Sequence, residues 1–94
     1  MVRLVGTVKQ FDWANPHVVI WLYVAQPDGA APQVWSVELT SPGNLTRTGW
    51  SRQALKPGDE VAVDIHPLRD GQRGGQFKQL VVSGTGKVYS TKGS

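Results

Sequence analysis

Few side chains in this sequence could do chemistry. His17 and His66 are its only imidazoles, there is no cysteine, and seven carboxylates are spread over 94 residues. An imidazole can ligate a metal or move a proton near neutral pH. His17 closes the stretch Phe11-Asp12-Trp13-Ala14-Asn15-Pro16-His17, so Asp12 and His17 form the one local pair able to share an ion. A stable metal site needs more ligands converging on one point. No metal is therefore expected, and Asp12 with His17 are only weak candidates, alone or shared between two chains.

Catalytic motifs are missing as well. There is no Gly-x-Ser-x-Gly elbow, no paired acidic motif and no phosphate loop. Arg69-Asp70-Gly71-Gln72-Arg73-Gly74-Gly75 is glycine-rich but lacks the Gly-Lys-Ser/Thr ending and a following helix, so it reads as a hairpin loop. The expectation is a domain that binds and does not catalyse, with no cofactor.

Aromatic side chains are the better lead, because four tryptophans are many for this length. Trp35 alternates with Val37 and Leu39, which assigns it to a core; Trp50 is expected to plug one end of that core. Trp21 and Tyr23 share the other face of their segment. With Arg3 and Lys9 nearby they could stack bases or sugars. Glu38 is expected on the same side and would repel phosphate, which favours packing under loops or against a second copy over nucleic acid. Trp13, Asn15, His17, Trp21 and Tyr23 are the candidate ligand contacts.

These residues need a scaffold. Val2 to Phe11 alternates like a half-buried strand, and Gly6 within it suggests a bend or bulge. Pro16 fixes its own φ and biases Asn15 to extended conformations, so His17 should open a second strand running to Ala25. Gln26 to Pro32 is a turn with Asp28-Gly29 at its tip, and Val34 to Thr40 returns as a third strand. Ser41 is the expected N-cap, with Pro42 at the first helical position. Lys56-Pro57-Gly58-Asp59 is a turn launching Glu60 to Pro67, with Val61, Val63 and Ile65 inward. Gln76 to Ser83 is the fifth strand; Phe77, Leu80 and Val82 break its alternation, which predicts a bulge.

Three strands, a short helix, then two strands is the element order of an OB-fold-like five-stranded Greek-key barrel. An SH3-like barrel or an open sandwich is the alternative. The single all-β domain is expected over residues 1–83, with 84–94 a polar, flexible tail in which Val88-Tyr89 docks. In such a barrel His17 and His66 fall at opposite ends of the first strand, against a two-histidine site.

The net charge is +3 with a pI near 9.6 and no polybasic run, which permits weak attraction to anions and requires none. No stretch is long and apolar enough for a membrane helix, so no membrane insertion is expected. No signal peptide is read at Met1-Val2-Arg3.

Gly6-Thr7-Val8, Phe11-Asp12-Trp13, Asn15-Pro16-His17, Gly49-Trp50 and Leu55-Lys56-Pro57-Gly58-Asp59 stand in an order that resembles a family of small exported bacterial domains of unknown function. That resemblance covers roughly Gly6 to Ser83. It implies a periplasmic location, supplies no activity, and marks Trp13, Asn15, Pro16, His17, Gly49 and Trp50 as the family's characteristic corner. The resulting expectation is a periplasmic recognition domain for a small molecule or partner protein. The alternatives are a single-strand nucleic-acid-binding domain and an assembly module forming a homo-oligomer.

Overall fold

A computed structural model describes residues 1–91. β1 runs Val2–Asp12, β2 Val19–Val24, β3 Gln33–Glu38, α1 Pro42–Thr46, β4 Glu60–Pro67, β5 Gly74–Val82 and β6 Val88–Ser90. Antiparallel pairing gives the order β3-β2-β1-β4-β5-β6, and a parallel β3–β5 pairing closes the first five strands into a barrel. The expectation of an all-β, five-stranded barrel with one short helix between its third and fourth strands holds.

Alternation explains what fills the barrel. Ile20 and Leu22 on β2, Val37 on β3, Val61, Val63 and Ile65 on β4 and Leu80 on β5 are all fully buried. β-branched and aliphatic side chains at every second position put one apolar face inward on each strand. No polar or charged side chain is buried among the described residues. The helix forms where Ser41 caps it: the Asn44 backbone N–H donates to Ser41 Oγ at 3.2 Å, and Pro42 occupies the first turn. Its buried Leu45 faces the core.

Trp50 does plug one end. It is 2% exposed, with ring centroids of Tyr89, Phe77 and Phe11 at 4.7, 5.4 and 6.2 Å. Its indole Nε1–H donates to the Ser90 carbonyl at 3.1 Å. That bond ties in the segment read as a tail. Val88–Ser90 is a sixth strand on β5, with Tyr89 buried, so strand pairing extends beyond residue 83, and residues 92–94 of the expected tail lie outside the described residues.

Two bulges and two close approaches shape the ring. The spacing of Phe77 and Leu80 has its expected cause, because Asp64 faces Gln79 while Ile65 faces Phe77 and leaves Lys78 unpaired. The bulge in β1 falls at Lys9, between Val8 and Gln10, and not at Gly6. Gly6 keeps its register with both Val24 and Val61. A Cβ there would lie 2.3 Å from the Tyr23 carbonyl oxygen, so the glycine allows two backbones to approach. The same need decides closure. Gly74 and Gly75 are not loop residues but the first residues of β5, buried and paired with Ser36 and Val37. A Cβ on Gly75 would meet the His66 carbonyl oxygen at 2.5 Å.

On the outside of the β1–β4 pair, Arg3 donates to both Asp64 carboxylate oxygens, at 2.8 and 3.2 Å. These hydrogen bonds hold the Asp64 carboxyl below the usual carboxylate range, with desolvation opposing them and the positive charges of Arg3 and Lys78 adding to them.

Candidate functional site

With the aliphatic face of β2 turned inward, Val19, Trp21 and Tyr23 face out. They pair across the ladder with Glu38, Ser36 and Val34 of β3. Trp21 is half-buried and Tyr23 is 42% exposed. Trp21 is held in place from β1: its Nε1–H donates to Asp12 Oδ2 at 2.9 Å, and Gln10 donates to the other oxygen of the same carboxylate. The β1 bulge makes this contact, because it sets Gln10 opposite Trp21 and Asp12 opposite Val19.

β3 is flanked on its far side by the β4–β5 loop. Between them lies an open groove of about 350 Å³ lined by Val34, Ser36, Leu68, Gly71, Gln72 and Arg73. Val34 and Leu68 are exposed apolar walls. Within the loop the Gln72 backbone N–H donates to Asp70 Oδ1 at 3.0 Å, a local turn that engages this carboxylate. Neither Arg69 nor Arg73 takes part in an ion pair among the described residues. The groove surface is thus mainly polar, with Val34 and Leu68 as its apolar side chains and the Arg73 guanidinium at its rim, and its Ser36 and Val34 are the ladder partners of Trp21 and Tyr23.

The corner sits at the other end of the same face. The Asn15–Pro16 peptide is cis, Asn15 and His17 are exposed, and β2 begins at Val19, two residues beyond His17. Val18 intervenes, fully buried, bonding to Leu39 and Thr40 of the neighbouring chain segment. His17 Nε2 lies 3.9 Å from Glu38 Oε1, and Gln76 Nε2 donates to Glu38 Oε2 at 3.3 Å. Gln76 is in turn the register partner of His66. The two histidines do lie beside opposite ends of β1. The β3–β5 closure nonetheless sets them at the two ends of one polar exterior row, His17–Glu38–Gln76–His66. No group of three His, Cys, Asp or Glu side chains able to hold a metal ion occurs among the described residues.

Of the five candidate contacts, Trp21, Tyr23 and His17 lie on the β2–β3 face and Asn15 on the exposed corner beside it. Trp13 is placed differently: it is half-buried, its ring centroid 5.8 Å from Phe11, and it packs against the core. Sequence reasoning missed Val34, Ser36, Leu68 and Arg73. Their assembly depends on a parallel pairing between strands far apart in the chain, and in sequence Gly74-Gly75 reads only as part of a hairpin loop. No curated protein and no solved structure matches the chain. A family pattern does match, over residues 1–79, and the chain therefore belongs to the family of unknown function DUF6152.

Proposed function

We propose that this domain is a non-catalytic recognition module of the bacterial periplasm. It holds a small molecule or a partner protein on the outer face of β2–β3. The observation that carries this reading is the continuity of the face: the groove at Val34, Ser36, Leu68 and Arg73 runs into Trp21 and Tyr23. The groove volume falls in the usual range for a ligand site, and its mainly polar surface beside the Trp21 and Tyr23 rings suits a polar ligand with a stacking part. The ring order β1-β2-β3-β5-β4 with a helix after β3 supports an OB-like reading, in which the strand 2–3 face and the loop between strands 4 and 5 commonly bind ligands. Asp12 and Glu38 on that face weigh against single-stranded nucleic acid, whose binding draws heavily on phosphate neutralisation.

The test is an NMR titration with a fragment library. Amide shifts centred on Tyr23, Val34, Ser36 and Arg73, weakened by Tyr23→Ala, support the reading. Shifts centred elsewhere, or none, refute it.

One observation favours the assembly reading instead. Register places Val5, Ala62, Val81 and Val88 in one outward row across β1, β4, β5 and β6, with Val5 66% and Val88 55% exposed. Light scattering with a Val5→Glu variant checks it: a dimer that becomes a monomer supports this reading, and a monomer throughout rejects it.

A further inference from the structure

We infer that the groove takes an extended peptide, which adds itself to the open edge of β3 and presents a carboxylate to Arg73. This rests on the recognition reading above and names the occupant.

The argument starts from hydrogen-bond direction. In an antiparallel ladder the backbone N–H and C=O groups of successive residues point alternately toward and away from the partner strand. Within β3 the Ser36 N–H donates to the Arg73 carbonyl at 3.2 Å, on the side away from β2. Odd-numbered residues of β3 therefore bond β2, and even-numbered ones face the far side. Val34 is even-numbered. β5 pairs with β3 only over Ser36, Val37 and Glu38, so among the described residues no strand lies beyond Val34. Its N–H and C=O point out of the sheet edge beside the groove.

Closed barrels normally leave no edge of this kind. A free edge beside a pocket is the arrangement that binds a peptide by strand addition, with main-chain bonds supplying affinity and pockets for alternate side chains supplying specificity. Here the pocket is mainly polar, and Val34 and Leu68 give it one aliphatic spot, enough for a single β-branched or aliphatic side chain. Arg73 at its rim has no ion-pair partner among the described residues, and Asp70, which stays charged, is turned to the Gln72 N–H and not to Arg73. A guanidinium so placed selects a carboxylate, and it can hold it with two parallel bonds. The carboxylate is either an acidic side chain or the free C-terminus of the peptide.

The experiment titrates the protein with an arrayed set of β-branched heptapeptides ending in Asp. The terminal carboxylate is free or amidated, and the Asp is kept or replaced by Asn, which separates the two sources of charge. The expected result is saturable binding with exchange of the Val34 amide slowed at least tenfold. Arg73→Ala should weaken binding at least tenfold and Arg73→Lys less. Val34→Pro, which deletes the outward N–H without touching a β2 bond, should abolish it; the amide-exchange measurement on the unmodified protein decides the matter if that variant fails to fold. Binding that leaves the Val34 amide unprotected overturns the inference, as does the absence of peptide binding. If peptides fail while fragments still shift Tyr23 and Ser36, the peptide inference falls and the recognition reading stands. If both fail, both fall.

Discussion

Placing a methyl group on Gly75 tests how the barrel is closed. The new Cβ would lie 2.5 Å from the His66 carbonyl oxygen and 2.9 Å from Ile65 Cδ1. Ordinary contact begins at 3.4 Å, so the backbone of β4 and β5 must separate by about 0.9 Å at that point. The neighbouring β3–β5 pairing is only three residues long and cannot absorb such a shift. Two of its hydrogen bonds, at about 1 kcal/mol each, are lost on top of an overpacking cost of about 1–3 kcal/mol. The expected destabilisation of Gly75→Ala is about 3–5 kcal/mol, or a fall in Tm of about 15–25 °C for a domain this size. Urea and thermal unfolding measure the total, and exchange of the Ser36 amide, which bonds Arg73, reports closure itself. Gly84→Ala is the control, since a Cβ there meets nothing. A fall of less than 4 °C with the Ser36 amide still protected would refute the reasoning.

Other substitutions probe the remaining joints. Trp50→Ala removes a ring held by Phe11, Phe77, Tyr89 and the Ser90 carbonyl and should cost about 4 kcal/mol, seen as a shift of the urea midpoint. Trp50→Phe should recover part of it. Ser41→Ala removes the acceptor of the Asn44 N–H and should cost about 1 kcal/mol, by the same measurement. Because Arg3 depresses the folded-state pKa of Asp64, the pair contributes above the unfolded-state pKa of Asp and is lost as pH falls through the lower, folded value. Arg3→Gln should therefore raise the Asp64 pKa in a carboxyl NMR titration and reduce the loss of stability on acidification. An unmoved Asp64 titration would remove Arg3 as the cause.

Much of the barrel was legible because local alternation carries it. Val61, Val63 and Ile65 read inward and are fully buried; the broken alternation of Phe77 and Leu80 announced the Lys78 bulge. Ser41 before Pro42 located the helix start because the cap hydrogen bond from the Asn44 N–H and the fixed φ of Pro42 both act within four residues. Contacts made across the ring were not legible. Gly74-Gly75 resembles any flexible loop in sequence, yet here the absent side chains let three backbones meet. The β1 bulge at Lys9 has no residue signature, although it decides that Asp12 reaches Trp21. Trp13 reads in sequence as a candidate ligand contact, because the core under Phe11 that it packs against appears only once β1 is coiled. The separation of His17 and His66 was judged along β1, whereas the ring also connects them through Glu38 and Gln76.

The β3–β5 closure also bears on how the chain reaches its folded state. It joins Ser36 to Gly74, so that a loop holding the helix and all of β4 must be drawn shut before three residue pairs can form. Loop closure costs about (3/2)RT ln n, here roughly 3 kcal/mol, and long-range pairings of this kind slow folding. The hairpin partners β1–β2–β3 and β4–β5 can assemble first, with the parallel seam last. What forms last with little local support tends to open first. Native-state exchange should therefore find the Ser36 amide opening at lower free energy than the amides of β4, and the groove beside it should breathe while the barrel core stays folded.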